Sequence, residues 1–235
     1  MRLSSALCTQ KEKITTMKPK LTTQMLILEA AAFCKEFSGV YFEELFGATD
    51  GKAVGTFVEH RFQSYLSERY DVDMGSSANG LDLPSVNTDI KVTSIKQPQS
   101  SCPFKDSKQK IYGLGYNLII FVYQKYDNPQ TKKAMLDILD CVYVDKYRTA
   151  DFQMTTGLKA IIDNNGNVDD VFAYLIDHNI PADEVSLMKM AEDICVNPPQ
   201  IGYLTISNAL QWRLQYRRVI TLPETVDGII SVLKK

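Results

Sequence analysis

The residues best suited to chemistry in this chain are Asp82, Asp89 and Lys91, within the segment NGLDLPSVNTDIKVTS at positions 79–94. Asp89 and Lys91 enter a β-prone segment two positions apart, so their side chains face the same way, roughly 6.6 Å apart along the strand. Pro84 and the Ser-Val-Asn stretch after it predict a tight reversal that returns Asp82 to Asp89. Two carboxylates about 4 Å apart repel by roughly 4 kcal/mol at an effective dielectric near 20, which a divalent cation would offset. The segment therefore predicts a metal site, although an exposed strand of alternating charge needs no chemistry at all.

Two helices are predicted ahead of this segment, at residues 22–37 and 52–70. The second has its apolar side chains on one stripe, which is the pattern of a helix that packs on a core. Glu59 lies about 100° round from Val58, at the edge of that stripe, and Gly55 one turn earlier would let a ligand approach closely. The helix therefore offers a third carboxylate, unless Glu59 is an ordinary solvated helix glutamate.

The remaining elements predict one α/β domain built on a mixed central sheet flanked by helices. The nearly continuous apolar run at 116–124 is typical of a strand buried on both faces, and 135–144 is predicted as its neighbour. The other predicted elements are helices at 151–162, 168–178, 182–194 and 222–234, a strand at 202–207, and a basic strand or helix at 208–218. We expect residues 21–235 to form this domain, either as one body or as two lobes around a cleft. Its catalytic core is expected at about 45–145, after a loose tail at 1–20.

The composition indicates a globular protein of a reducing compartment. With 235 residues and 45% hydrophobic content, the chain can bury a sizeable core. Five widely spaced cysteines without a C-x-x-C pair indicate neither a disulfide framework nor a zinc site, so we expect a cytoplasmic protein. No apolar run reaches the roughly 18 residues of a membrane span. The formal net charge of −2 excludes a global attraction for nucleic acid, which would need a local basic cleft.

The order of these parts resembles the PD-(D/E)XK nuclease superfamily, with a helix carboxylate, a loop aspartate, and Asp-x-Lys at the start of a strand. The chain is most similar to the MutH-like branch, which comprises the mismatch-repair nicking enzyme and the type II restriction enzymes related to it. The segments that carry the resemblance are GKAVGTFVEHRF, DLPSVNTDIKVTSI, KQKIYGLGYNLIIFVY, YLTIS and VITLP. They span residues 45–125 and, more thinly, 202–223. The chain departs from the family at Asp89, where the mismatch-repair enzyme has glutamate. It also departs at Ser207 and Asn208, which replace the family's basic residues immediately after YLTIS.

The resemblance implies a site that uses Mg²⁺ to hydrolyse DNA phosphodiesters. Asp82 and Asp89 would be direct metal ligands, and the Ile90 carbonyl would complete the shell. Glu59 would hold a second ion or orient the waters of the first.

The family's two active-site lysines correspond to Lys91 and Lys110. Lys91 would steer the attacking water and stabilise the charge that develops on the phosphate. Lys110, just before the apolar strand, would assist, although a place among the lysines of a solvated loop explains it equally well.

Cationic side chains would form the two rims of a DNA cleft. They are Lys96, Lys105, Lys108 and Lys110 on one rim, and Arg213, Arg217 and Arg218 on the other.

The function that the resemblance implies is that of a type II restriction endonuclease. Such an enzyme would cut both strands of double-stranded DNA at a short site and leave 5′-phosphate ends. It would act as a homodimer or by transient association, alongside a DNA methyltransferase of the same system. A strand-nicking repair endonuclease stays open as an alternative. A DNA-binding module without catalysis is the other alternative, against which the intact set of Asp82, Asp89 and Lys91 argues.

Overall fold

The fold rests on two long antiparallel strands, β4 and β5, at the centre of a mixed sheet. The computed structural model describes residues 18–73, 75, 80–102, 105–207 and 212–235. The helices are α1 (Thr23–Phe37), α2 (Gly51–Arg69), α3 (Gln109–Tyr112), α4 (Phe152–Asp163), α5 (Val168–Asp177), α6 (Glu184–Val196) and α7 (Arg217–Ile220). The strands are β1 (Val40–Phe42), β2 (Thr88–Ser94), β3 (Gln99–Ser101), β4 (Asn117–Asn128), β5 (Lys133–Val144), β6 (Thr205–Ile206), β7 (Arg213–Gln215) and β8 (Ile229–Lys234).

The central sheet has the order β1-β5-β4-β2, and β8 also pairs with β5. Strand β2 runs parallel to β4, whereas β1, β4 and β8 are antiparallel to β5. A second, three-stranded sheet has the order β3-β7-β6. The predicted α/β class, with a mixed central sheet flanked by helices, is confirmed.

Strand β4 explains why its sequence is apolar without a break. Ile119 and Phe121 contribute to the core beneath α1 and α2, whereas Ile120 and Val122 contribute to the core shared with the second sheet. Successive side chains of a strand point to opposite faces, so a strand covered on both faces must be apolar at every position. A third core lies among α4, α5 and α6.

Helix α2, which carries Glu59, is anchored at its first turn. The Asp50 carboxylate accepts a hydrogen bond from the Lys52 backbone N–H at 2.9 Å, which satisfies a donor that the helix leaves unpaired. Val58 and Phe62 are fully buried, as the predicted apolar stripe requires. Burial of this stripe holds the helix on the sheet and so determines where Glu59 points.

The predicted helix at 222–234 is wrong, because residues 229–234 form strand β8 along one edge of β5. Gly228 adopts a left-handed conformation with φ of 82°, which L side chains rarely adopt, and it redirects the chain into this strand. The six residues IISVLK then place β-branched side chains on a sheet edge that β1 covers only in part. Pairing with the available edge of β5 therefore prevails over the helix that the spacing of the apolar residues predicts.

The structure also bears on the predicted tail at 1–20 and on the predicted strand at 202–207. Most of the predicted tail, residues 1–17, lies outside the described residues. Lys20 forms an isolated backbone β-bridge with Asp71, so the last residues of that segment are attached to the chain just beyond the end of α2. The predicted strand at 202–207 is confined to Thr205–Ile206, and 208–211 lie outside the described residues. No helix in the described part of the chain is long and apolar enough to cross a membrane.

Candidate active site

The reversal before β2 places Asp82 beside that strand. Pro84 begins a single 3₁₀ turn, and Asn87 ends it in the left-handed conformation with φ of 49°. The backbones of Leu83 and Thr88 then bond to each other, with N···O distances of 3.0 and 3.2 Å. The Asp82 Oδ2 atom accepts a hydrogen bond of 2.7 Å from the Ile90 N–H. The reversal predicted from the proline is confirmed.

Asp89 and Lys91 project from β2 on the same face and form an ion pair. The Lys91 Nζ atom lies 2.6 Å from Asp89 Oδ2, and only 9% of the Asp89 side chain is exposed. Burial, followed by the hydrogen bond with the Asp82 carboxyl group, raises the pKa of Asp89 to about 7 against the lowering effect of Lys91. Two carboxyl groups in contact cannot both be ionised at low cost, so the pair retains a proton near neutral pH.

Glu59 reaches the same cluster from α2. Its carboxyl group contacts that of Asp82, and burial raises the pKa of Glu59 despite this hydrogen bond and the nearby Lys91 ammonium. The structure therefore brings three carboxyl groups and one ammonium group together from three elements: α2, the reversal and β2.

These four side chains line a cavity of about 330 Å³. The other lining residues are His60, Gln63, Gly75, Gly80, Leu81, Ser101, Cys102, Lys105, Gln109 and Tyr116. Lys105 thus contributes a second ammonium group to the cavity. The Nε2 atom of Gln109 donates to the Leu114 carbonyl at 3.3 Å, whereas its buried Oε1 atom has no hydrogen-bond partner among the described residues.

The donor set of the cavity suits a hard cation bound by few protein ligands. Within the described residues, no group of three or more His, Cys, Asp or Glu side chains is arranged to hold a metal ion. Mg²⁺ retains several waters and commonly takes only one or two carboxylates, which Asp82 and Asp89 supply. The N–H of Ile90 points to Asp82 on the free edge of β2, and the carbonyl of a strand residue faces the same edge as its N–H. The residues present therefore fit an oxygen-coordinated cation.

Lys110 is placed differently from the other predicted site residues. It lies in α3 with its side chain buried, and it is absent from the lining of the cavity. Burial lowers its pKa, whereas the nearby Asp151 carboxylate acts to raise it. Its carbonyl also accepts a hydrogen bond of 3.0 Å from the Asp151 N–H. The neighbouring Gln109, which was not among the predicted site residues, lines the cavity instead.

A wide groove of about 1,210 Å³ adjoins the cavity and shares Glu59, Lys91 and Ser101 with it. Of the predicted DNA-binding residues, Lys96 and Arg213 line this groove. Lys52 also lines this groove, although it was not among the predicted site residues. Its position seven residues before Glu59, two turns earlier on the same helix face, was an available signal.

Lys105 lines the cavity, whereas Lys108, Lys110, Arg217 and Arg218 are absent from the lining of both the cavity and the groove. Lys108 forms an ion pair with Asp193, with an Nζ to Oδ2 distance of 2.9 Å. Arg217 is exposed on α7, and the guanidinium of Arg218 stacks on the Phe152 ring at 3.6 Å. The groove thus brings together one cation from each predicted rim, Lys96 and Arg213, and adds Lys52.

Residues 20–231 match the model of a family described as type II restriction enzyme NspV. A curated relative named Type II restriction enzyme NspV, from Nostoc sp. (strain ATCC 29411 / PCC 7524), is 53% identical over 214 residues. This alignment covers 91% of the present chain and 97% of the relative. No solved structure gives a significant match.

Proposed function

The chain belongs to the family of type II restriction enzyme NspV, and we propose that it cuts double-stranded DNA at a short specific site by hydrolysing phosphodiester bonds in the cavity described above. The observation that carries this proposal is the contact of Asp82 with both Asp89 and Glu59, next to the Lys91 ammonium group. The resemblance to the MutH-like branch of the PD-(D/E)XK superfamily supports the same assignment.

We propose Mg²⁺ as the cofactor, held by Asp82 and Asp89 with the Ile90 carbonyl. When bound, the ion would polarise the scissile phosphate and lower the pKa of a coordinated water. The Asp82–Asp89 contact supports this proposal because it requires a proton in the absence of a cation, whereas a divalent charge would let both carboxyl groups ionise.

The side chains of the cavity would orient the reaction. Glu59, half-buried at the edge of the cluster, would accept a hydrogen bond from the attacking water. Lys91, which forms an ion pair with Asp89, would stabilise the negative charge of the phosphorane. Attack on phosphorus would break the bond to the 3′ oxygen, which takes the electron pair and a proton, so that a 5′-phosphate end results.

The adjoining groove would hold the DNA backbone. Lys52 and Lys96 line it, and neither forms an ion pair with another described residue. A chain of net charge −2 can attract phosphates only where such cations concentrate. Cleavage of both strands would require a second active site, which a homodimer or a transient pair of molecules would provide. Self-protection of the host DNA would be the task of a partner methyltransferase.

Purified protein is expected to convert plasmid DNA with Mg²⁺ into discrete double-strand fragments, because a site-specific enzyme cuts at fixed positions. Gel electrophoresis and sequencing of the fragment ends would give the site and the 5′-phosphate. Nicked circles as the final product would favour the strand-nicking alternative, and intact plasmid bound by the protein would favour a module without catalysis.

Replacing Lys110 with methionine is expected to change the single-turnover cleavage rate by no more than a few-fold, because this side chain does not line the cavity. Urea unfolding of the same variant would show whether the side chain acts in stability instead. Loss of cleavage by a hundredfold or more, with an unchanged unfolding curve, would restore Lys110 to the catalytic set.

A further inference from the structure

The second sheet presents a two-stranded ribbon, formed by β3 and β7, at the edge of the groove. The antiparallel register places Gln99 opposite Gln215 and Ser101 opposite Arg213. Since side chains alternate along a strand, these four residues share one face of the ribbon, whereas Ser100 and Leu214 share the other.

The two faces of the ribbon differ sharply in burial. Leu214 is fully buried, and the flanking Trp212 and Tyr216 are buried in the same core. The Ser100 hydroxyl also hydrogen-bonds that of Tyr216. On the opposite face Ser101, Arg213 and Gln215 are exposed, and Gln99 is partly so. The ribbon is therefore anchored through one face and displays the other to solvent.

The displayed face consists of hydrogen-bonding groups that the fold does not use. The side chains of Gln99, Arg213 and Gln215 make no hydrogen bond or ion pair with another described residue. Gln99, Ser101 and Arg213 line the same groove as Lys91 and Glu59 of the catalytic cluster. A DNA duplex in this groove would therefore meet the ribbon and the cluster together.

We propose that the outer face of the β3–β7 ribbon reads base edges in the major groove of the DNA, an inference that rests on the proposed function. A two-stranded ribbon fits the major groove, which is about 12 Å wide. Arginine pairs with the O6 and N7 atoms of guanine through two hydrogen bonds, and glutamine pairs in the same way with N6 and N7 of adenine. Arg213 and Gln215 are two positions apart, about 6.8 Å along the strand, which equals two base-pair steps of about 3.4 Å. They would thus address bases two steps apart.

A ribbon that only contacts phosphates would behave differently. Loss of a base contact weakens cleavage of the correct site but leaves sites already altered at that base pair nearly unaffected. Loss of a phosphate contact weakens binding of all sequences alike and lowers the salt dependence. The two readings therefore give opposite results on a panel of substituted sites.

The test compares Arg213→Leu and Gln215→Leu with the wild type on a duplex containing the site found by end sequencing, and on duplexes with each base pair substituted. Each variant is expected to lose about 10–100-fold in kcat/KM on the correct duplex and to lose discrimination at one base pair. The affected base pair should differ between the two variants. Lys96→Met, which removes a groove cation outside the ribbon, should weaken all duplexes alike.

Urea unfolding should be unchanged in both ribbon variants, because these side chains point away from the core. Uniform weakening across the panel would overturn the base-reading role in favour of phosphate contact, and an unchanged kcat/KM on every duplex would show that the ribbon does not contact the DNA. Failure of the wild-type protein to cut any DNA would instead refute the proposed function.

Discussion

Replacement of Asp89 with asparagine is expected to lower the rate of DNA cleavage at least about a thousandfold, because Asp89 is both a proposed metal ligand and the ion-pair partner of Lys91. Asparagine preserves the shape of the side chain, so the reversal at Asp82 should remain intact. Lys91→Met should show a loss of about a hundredfold or more, because the ammonium group would no longer stabilise the charge of the phosphorane. Single-turnover cleavage of plasmid DNA with excess enzyme would measure both effects.

A matched pair on the surface supplies the control. Lys159 and Asp163 form an exposed ion pair within α4, with an Nζ to Oδ1 distance of 3.0 Å. Asp163→Asn and Lys159→Met should leave cleavage unchanged, because exposed pairs of this kind contribute little even to stability. Binding of DNA without divalent cations should persist in the Asp89 and Lys91 variants. Cleavage by Asp89→Asn within tenfold of the wild-type rate would contradict the assignment of this site.

Without divalent cations, the free energy of unfolding is expected to fall by roughly 2–3 kcal/mol between pH 5 and pH 8, owing to Asp89. Its folded pKa of about 7 lies above the ordinary value of 3.8. A raised pKa means that the folded protein holds the proton more tightly than the unfolded chain does. This contribution is therefore complete below pH 4 and is lost as the pH rises through about 7. Glu59, whose pKa is also raised, changes stability in the same direction.

Urea unfolding at several pH values would measure this dependence, and Asp89→Asn isolates the part due to Asp89 because asparagine does not titrate. We expect the variant to have a flatter pH profile than the wild type. Excess Mg²⁺ should stabilise the wild type most at pH 8, where it no longer competes with the proton, and should stabilise the variant less. Parallel pH profiles for the two proteins would contradict the shared proton between Asp82 and Asp89.

Much of the fold followed from local patterns that the tertiary structure preserves. The helix predicted at 52–70 is observed at Gly51–Arg69, and the apolar run at 116–124 lies within β4 except for its first residue, Tyr116. Both succeeded because each pattern has one stable placement: a stripe of apolar side chains must cover a core, and a strand apolar on both faces must be central. The pattern at 222–234 had two placements, and the free edge of β5 selected the strand.

The sequence by itself determined the centre of the candidate site. Asp89 and Lys91 share a face because strand periodicity requires it, and Pro84 and Asn87 reverse the chain within six residues so that Asp82 returns. These relations depend on neighbours along the chain and so are visible in the sequence. Neighbours along the chain do not determine which other residues surround these three side chains.

Only the tertiary structure decided which residues surround that centre. Lys110 and Gln109 are adjacent in sequence, yet the packing of α3 buries Lys110 near Asp151 and turns Gln109 to the cavity. Gln99 and Gln215 are more than a hundred positions apart and meet only because β3 pairs with β7. Such contacts depend on how whole elements pack, since burial and strand pairing are settled between segments and not within them.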